Sequence, residues 1–458
     1  MASAGSRSKV GMISLGCAKN LVDSEIMLGR LSTEGHEVVS SFEDAETVIV
    51  NTCGFIEQAR QESIDAILEV AERRKRGEVK KLLVAGCMVN RHGTELAKEI
   101  PEIDGFISLD QLQEVDRVVE LGGGPPLPAP SHLVFDHTAP RRLTTRGHAY
   151  LKVAEGCNNP CTFCAIPVWR GRFRSRTIES LVAEARELEA AGARELILIA
   201  QDTTRYGEDL ELGRSGLERL VERLLAETSF PWLRFLYAYP TTLDFGLLRL
   251  MAQEERLVPY LDMPLQHSHP EILRAMRRGG SAERYRQILD EARALVPGLT
   301  LRTTFICGFP GETEAHFEHL LEFVESQRFD HLGAFVYSPE EDTPSAGLAG
   351  RVPRGKARRR YERLLEAQRP ISLASRERLV GRRLRVLVEG VCEESEHLLE
   401  GRHAGMAPGI DGRLLINDGT APAGTFVEVE ITDAFPDDLV GRIVGCSEPA
   451  EVELASAF

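Results

Sequence analysis

Short apolar runs and amphipathic stretches alternate along the first part of the chain. Val10-Gly11-Met12-Ile13-Ser14-Leu15, Val48-Ile49-Val50 and Leu82-Leu83-Val84-Ala85 each lead directly to a cysteine, Cys17, Cys53 and Cys87 in turn, and then to a helix-like stretch. Short β-rich runs alternating with helical periods predict a parallel α/β sheet buried on both faces. Loops at the carboxyl ends of such strands line a shared crevice. If the three strands are neighbours, the three thiols converge there; otherwise they are separate half-buried loop cysteines.

The run Gly122-Gly123-Gly124-Pro125-Pro126-Leu127-Pro128-Ala129-Pro130 can continue neither a helix nor a central strand. It sets residues 1–121 apart as a first domain, with 122–147 as linker. Over 148–350 the alternation resumes with strand candidates Tyr150–Ala154, Glu195–Ala200, Leu233–Ala238, Tyr260–Met263, Thr300–Ile306 and Leu332–Tyr337. Six β/α units predict a partial parallel barrel, because eight close the usual form. Residues 351–383 form a basic, helix-compatible connector with Arg358, Arg359, Arg360, Arg363, Arg369 and Arg376. A solvated helix face explains such a run, and contact with nucleic acid or with the acidic tail is the alternative. Over 384–450, the runs Leu384–Val388, Leu414–Ile416, Thr425–Ile431 and Leu439–Val444 between Gly-rich turns predict a small antiparallel β-barrel. The fold class is therefore α/β with a terminal β domain.

Composition adds two constraints. The net charge of the 458 residues is −15, and residues 385–458 hold four arginines against fifteen acidic residues. Charge of that sign repels phosphate and suits a basic partner, or simply keeps a small domain soluble. Nine cysteines, no apolar stretch long enough to span a membrane and a start without a secretory core predict cytoplasmic residence with free or metal-bound thiols.

The most informative chemistry lies just after the first barrel strand. Cys157-Asn158-Asn159-Pro160-Cys161-Thr162-Phe163-Cys164 spaces three thiols C-x3-C-x2-C, one short of a closed tetrahedral site. An iron–sulfur cubane held by three cysteines leaves one iron open to a small molecule. A zinc site completed by His137 or His148 is the alternative. The run resembles the signature of the radical S-adenosylmethionine enzymes. With the first trio, and with the wording Ile13 to Glu25, Asn51 to Ile56, Gln201-Asp202-Thr203-Thr204-Arg205-Tyr206-Gly207 and Pro264-Leu265-Gln266-His267, nearly the whole chain resembles the methylthiotransferases. Within them it is closer to the branch that modifies a ribosomal protein than to the transfer-RNA adenosine branch, of the MiaB type.

That resemblance implies an N-terminal cluster domain, a radical S-adenosylmethionine barrel and a C-terminal, OB-like TRAM domain. It implies two 4Fe-4S clusters, one on Cys17, Cys53 and Cys87 carrying sulfur and one on Cys157, Cys161 and Cys164. S-adenosylmethionine serves as methyl donor and radical source, and an external one-electron donor, a reductase or a flavodoxin or ferredoxin, is required. The implied substrate is the β-carbon of an aspartate in small-subunit ribosomal protein S twelve, free or within the assembled subunit. The acidic TRAM domain is not expected to grip RNA tightly, and no membrane is involved. Gln201, Tyr237 and Arg302 would face the cofactor, and Gly308-Phe309-Pro310-Gly311-Glu312-Thr313 would lie beneath its adenine, with Gly308, Gly311 and Glu312 in contact. A plain strand-to-helix turn with Thr313 at the helix start is the alternative. Arg170, Arg172, Arg174 and Arg176 alternate, so an extended segment would point them one way, towards an anion, although ion pairs with nearby acids suit at least two. His267 and His269 are read as barrel residues. Cys307, Cys392 and Cys446 carry no cluster pattern, and Asp342 stands where the family often has glycine.

Overall fold

The three strands that lead to cysteines lie side by side. In the computed structural model, which describes residues 8–124 and 132–446 and the Cys446 backbone alone, the first domain runs β1 (Lys9–Ser14), α1 (Ala18–Thr33), β2 (Glu37–Val38), β3 (Thr47–Thr52), α2 (Glu57–Lys75), β4 (Lys81–Gly86), α3 (Cys87–Glu99), β5 (Gly105–Ile107) and α4 (Val115–Leu121). Its sheet has the order β2-β1-β3-β4-β5, every pair parallel. Side chains alternate across a strand. Ile49 and Leu83 therefore pack under Val22, Ile26 and Leu31 of α1, while Val48, Val50, Leu82 and Val84 pack under Ile67 and Val70 of α2. Most of the Gly/Pro linker lies outside the described residues.

The second domain begins with β6 (His148–Lys152), then β7 (Ala154–Glu155), α5 (Ile166–Trp169), β8 (Arg174–Ser175), α6 (Ile178–Ala190), β9 (Glu195–Ile199), α7 (Gly216–Glu227) and β10 (Trp232–Phe235). It continues with α8 (Phe245–Gln253), β11 (Tyr260–Asp262), α9 (Pro270–Ala275), α10 (Ala282–Leu295), β12 (Thr300–Cys307), α11 (Glu314–Gln327) and β13 (His331–Val336). Parallel ladders join β6, β9 and β10, and join β11, β12 and β13. Between the two sets, Leu233 N–H donates to Arg256 O, Val258 N–H to Leu233 O and Ala238 N–H to Asp262 O. The result is a curved six-strand half-barrel, open between β6 and β13 among the described residues. Helices pack their apolar stripes on its outside.

Helix α12 (Arg354–Glu377) then returns along the barrel to a closed five-strand barrel: β14 (Arg383–Cys392), β15 (Ser395–His403), β16 (Leu414–Asp418), β17 (Phe426–Ala434) and β18 (Leu439–Cys446). Strand direction cannot alternate all the way round a ring of five. One pair must be parallel, and it is β16 with β18. The expected solvated face of α12 is only partly present, because Arg360 and Arg376 are buried.

This small barrel seats against the half-barrel at the starts of its strands. Trp232 meets Phe426 edge to face at 4.7 Å. Tyr260 Oη donates to Asp411 Oδ2 at 2.5 Å, and Glu195 is clamped between Arg234 and Arg402, each at 2.7 Å. Burial pushes the Glu195 carboxyl up, but those two guanidiniums outweigh it and bring it down to about 2. Two histidines at the seam are held neutral: burial, helped by Arg402, lowers His148 to about 4, and burial with His331 and Arg234 lowers His403 to about 3. Between pH 6.5 and 4 the unfolded chain takes up protons that the folded seam refuses. Their contribution is therefore complete above pH 6.5 and is lost as pH falls towards 4. At about 1.4 kcal/mol per unit, His148 alone accounts for roughly 3 kcal/mol at pH 4. Melting temperature followed over this range should fall more gently in His148→Gln than in the wild type; equal slopes would show that His148 titrates freely when folded.

Candidate functional site

Adjacent strands bring the first trio together. Ser14 pairs with Asn51 and Asn51 with Ala85, so Cys17, Cys53 and Cys87 leave the same edge of the sheet two or three residues further on. Two glycines make the approach possible. Gly16 (φ +93°) lies so close that an added Cβ would sit 3.0 Å from Cys53 Sγ, and at Gly86 (φ +94°) it would meet Asn51 Oδ1. Asn51 Nδ2 donates to Asn20 O at 2.9 Å and Ser24 Oγ at 2.8 Å, and Ser63 Oγ accepts from Cys53 N–H at 3.0 Å, fixing the loops. Burial pushes Cys53 up to about 12 and raises Cys87. Cys17 opens to the cleft; there desolvation opposes ionisation, but Lys19 and Arg170 bring the thiol below its ordinary value.

The second trio follows β7, whose Glu155 shares Lys152 and Arg170 with Asp23 of the first domain. Gly156 (φ +76°) turns the chain out of β7, and an added Cβ there would strike Arg172 O. Asn159 N–H donates to Cys157 Sγ at 3.4 Å and Arg278 Nη1 to Cys161 Sγ at 3.7 Å. Asn159 Nδ2 is tied to Asp202 at 2.6 Å, and Thr162 N–H to Met276 O at 3.0 Å. Burial pushes Cys157 up to about 11 and Cys164 to about 12.

One buried network joins the two domains. Asp23 of α1 accepts from Lys152 Nζ at 2.5 Å and from Arg170 Nη2 at 2.8 Å. Glu155 accepts from Lys152 and Arg170, each at 2.9 Å, and from Gln201 Nε2 at 2.8 Å. Arg170 also reaches the Cys87 thiol. Two cations and two carboxylates thus neutralise one another between the trios. On the outer side, Glu340, after β13, ties Arg60 of α2 and Arg91 of α3 to the barrel, and Arg91 Nε lies 3.4 Å from Asp342.

Of the other expected cofactor residues, Gln201 and Tyr237 lie at this cleft. Tyr237 has φ +64°, rare for a bulky side chain, and Lys19 Nζ stands 3.5 Å above its ring. The remaining four have partners of their own. Arg302 donates from Nη1 to Asp262 at 2.9 Å, the carboxylate that also accepts Tyr237 N–H at 3.0 Å, and from Nε to Asp411 at 3.2 Å, so it stands between Tyr237 and the terminal barrel. An added Cβ at Gly308 would meet Ala357 Cβ of α12 at 2.3 Å, so the glycine admits the close approach of that helix. Glu312 is buried on Arg360 Nη1 at 2.6 Å and accepts Gly308 N–H. Gly311 donates to Gly350 O, and Thr313 caps α11, so the segment is a strand-to-helix turn.

The four alternating arginines do not share a face, because Gly171 (φ +72°) interrupts the extended run. Arg170 and Arg176 are buried in ion pairs, the latter with Glu184. His267 is fully buried beside Glu312, and His269 caps α9. Cys307 and Cys392 are buried in the two barrels, away from the cleft. Cys446 falls outside the described side chains. Residues that sequence reasoning left without a role, Asp23, Lys152, Glu155 and Arg278, gave only one signal: charged positions inside otherwise apolar or glycine-rich runs.

The donor sets fit iron–sulfur chemistry better than a single ion. Zinc holds sulfurs at about 2.3 Å, hence within about 4 Å of each other. Among the described residues the cysteine trios do not gather that tightly, and His148 starts β6, about 15 Å of strand away from Cys157. Buried thiols with raised pKa become good ligands only beside strong positive charge, which iron provides.

Residues 9–108 match an uncharacterized protein family (UPF0004), 151–324 the radical SAM superfamily and 380–444 the TRAM domain. The chain resembles the radical S-adenosylmethionine methyltransferase TsrM from Kitasatospora setae, at TM-score 0.56 and 16% identity over 74% of this chain and 77% of that one, which speaks to fold alone. The chain is 50% identical to ribosomal protein uS12 methylthiotransferase RimO of Anaeromyxobacter sp. (strain K), over 95% of this chain and 93% of the relative. It is 47% identical to that of Solibacter usitatus over 97% and 96%, and 44% to that of Geobacter sulfurreducens over 96% and 99%. With both cysteine trios joined through one buried ion-pair network and likeness running end to end, the chain belongs to the RimO family of ribosomal protein uS12 methylthiotransferases.

Proposed function

We propose that this protein adds a methylthio group to the β-carbon of an aspartate of ribosomal protein uS12 in the cytoplasm. The observation that carries the reading is full-length likeness to uS12 methylthiotransferases together with two cysteine trios joined by one buried ion-pair network. No described helix is long and apolar enough to cross a membrane. Cys157, Cys161 and Cys164 would hold one 4Fe-4S cluster with S-adenosylmethionine, and Cys17, Cys53 and Cys87 a second. When bound, these groups supply a hydrogen-abstracting radical, sulfur and a methyl group, and a flavodoxin, ferredoxin or reductase supplies electrons.

The chain's own residues orient and insulate. Asp23, Lys152, Glu155 and Arg170 fix the two domains relative to each other. Gln201, whose Oε1 is buried without a partner, and the strained Tyr237 offer a polar edge and an aromatic face to S-adenosylmethionine. Lys19 and Arg170 hold positive charge beside Cys17 and Cys87, where a cluster with thiolate ligands carries negative charge. An aspartate β-carbon has no leaving group and only feebly acidic hydrogens, so no acid–base dyad is required.

Anaerobic turnover of reconstituted enzyme, offered small ribosomal subunits and bulk transfer RNA in parallel, tests the reading by mass spectrometry. A methylthio gain on one aspartate of uS12 is expected. A gain on transfer-RNA adenosine would assign the chain's activity to the other branch.

A further inference from the structure

At the far end of the half-barrel from the cysteines, a groove of about 840 Å³ opens between the starts of β12 and β13, the last turns of α12 and the terminal barrel. Strand length puts it about 20 Å from the cleft. Arg293, Arg328, Arg376, Arg378 and Arg382 line it, against one carboxylate, Asp330.

These arginines differ from those in the first half of α12 that carry carboxylate partners. In the first half of α12, Arg358 pairs with Glu362 at 2.8 Å, Arg360 with Glu312 at 2.6 Å and Arg363 with Glu318 at 2.7 Å. In the groove, Arg376 is buried and donates to a main-chain carbonyl, Pro436 O, at 2.6 Å. Arg293 donates to Gln327 O, with Asp290 only at 4.0 Å. Arg378 is 4.0 Å from Asp330. Arg328 and Arg382 are exposed and have no ion pair among the described residues. Burial pushes Arg293 and Arg376 below the usual arginine range despite Asp330, Asp411, Asp437 and Asp438 nearby. Guanidiniums clustered in a concave site with no carboxylate nearer than 4.0 Å among the described residues are matched by phosphate, which takes their paired N–H groups two at a time.

We infer that this groove is a binding site for the phosphodiester backbone of single-stranded RNA. Its charge comes from the half-barrel and α12, so it does not call on the acidic strands of the terminal domain. The site would hold the enzyme on RNA while the distant cleft works on protein, and it is independent of which substrate the cleft takes.

The test is fluorescence anisotropy of a labelled twelve-nucleotide single-stranded RNA with the full chain at low salt. The double variant Arg328→Glu/Arg382→Glu changes exposed side chains, and an unchanged melting temperature verifies its fold. It should bind at least about tenfold more weakly, with a shallower salt dependence, since each phosphate contact contributes to the slope. Arg358→Glu/Arg359→Glu alters net charge equally outside the groove and should bind as wild type does. Equal loss in both variants, or RNA binding unmoved by either, overturns the assignment. Binding of inorganic pyrophosphate without binding of RNA also overturns it, leaving a free-anion site.

Discussion

Cys161→Ala is expected to abolish 5′-deoxyadenosine release from reduced protein supplied with S-adenosylmethionine, and to lower bound iron from about eight to about four per chain. Three sulfurs are the minimum that holds a cubane while leaving one iron open, and two cannot. Cys161 is a stringent choice because it is buried and already oriented by Arg278 and by its neighbour Thr162, so the substitution removes a ligand without freeing a loop. Cys392→Ala, buried in the terminal barrel, is the matched control and should keep full iron and full cleavage. Anaerobic iron and sulfide analysis with product chromatography reads both. Eight irons retained in Cys161→Ala would place the cluster elsewhere.

The second large effect is on stability. Asp23 is fully buried and is the first domain's only carboxylate between Lys152 and Arg170 in the network described. Asp23→Ala leaves two buried cations sharing Glu155. Breaking a buried pair from one side typically costs about 3–5 kcal/mol, because the remaining charge has neither water nor partner. Denaturant unfolding should show a loss of that size, whereas Lys80→Ala, which breaks an exposed pair with Glu46, should leave the midpoint unchanged. A small effect in Asp23→Ala would mean that water reaches the network and that the two domains are not rigidly coupled.

Much of this site was legible before any coordinates. An apolar run ending in a cysteine fixes both a buried strand and the edge on which its loop emerges, so the convergence of Cys17, Cys53 and Cys87 required only that β1, β3 and β4 be neighbours. Six β/α units likewise foretold a half-barrel. What was not legible depended on contacts between segments remote in sequence. Arg302 shares Asp262 with Tyr237, but its second partner, Asp411, arrives more than a hundred residues later and ties it to the terminal barrel as well. Gly308 carries the same local signal for a ligand as for a helix, and the return of α12 at Ala357 could not be read from that signal. The alternation from Arg170 to Arg176 assumed an extended chain, and Gly171 breaks that assumption through its positive φ. The Asp23 to Arg170 network was invisible for the same reason: a charge in a sequence does not name its partner across a domain boundary.

The division of labour between the trios is the centre of the account, and Cys53→Ala tests it most directly. Cys53 is a buried member of the first trio, and Ser63 holds its backbone. In anaerobic turnover with small ribosomal subunits, the account predicts that this variant still releases 5′-deoxyadenosine while uS12 gains no methylthio group. Methylthio-aspartate formed at the wild-type rate by Cys53→Ala would contradict it, since the sulfur would then not depend on the N-terminal cysteines.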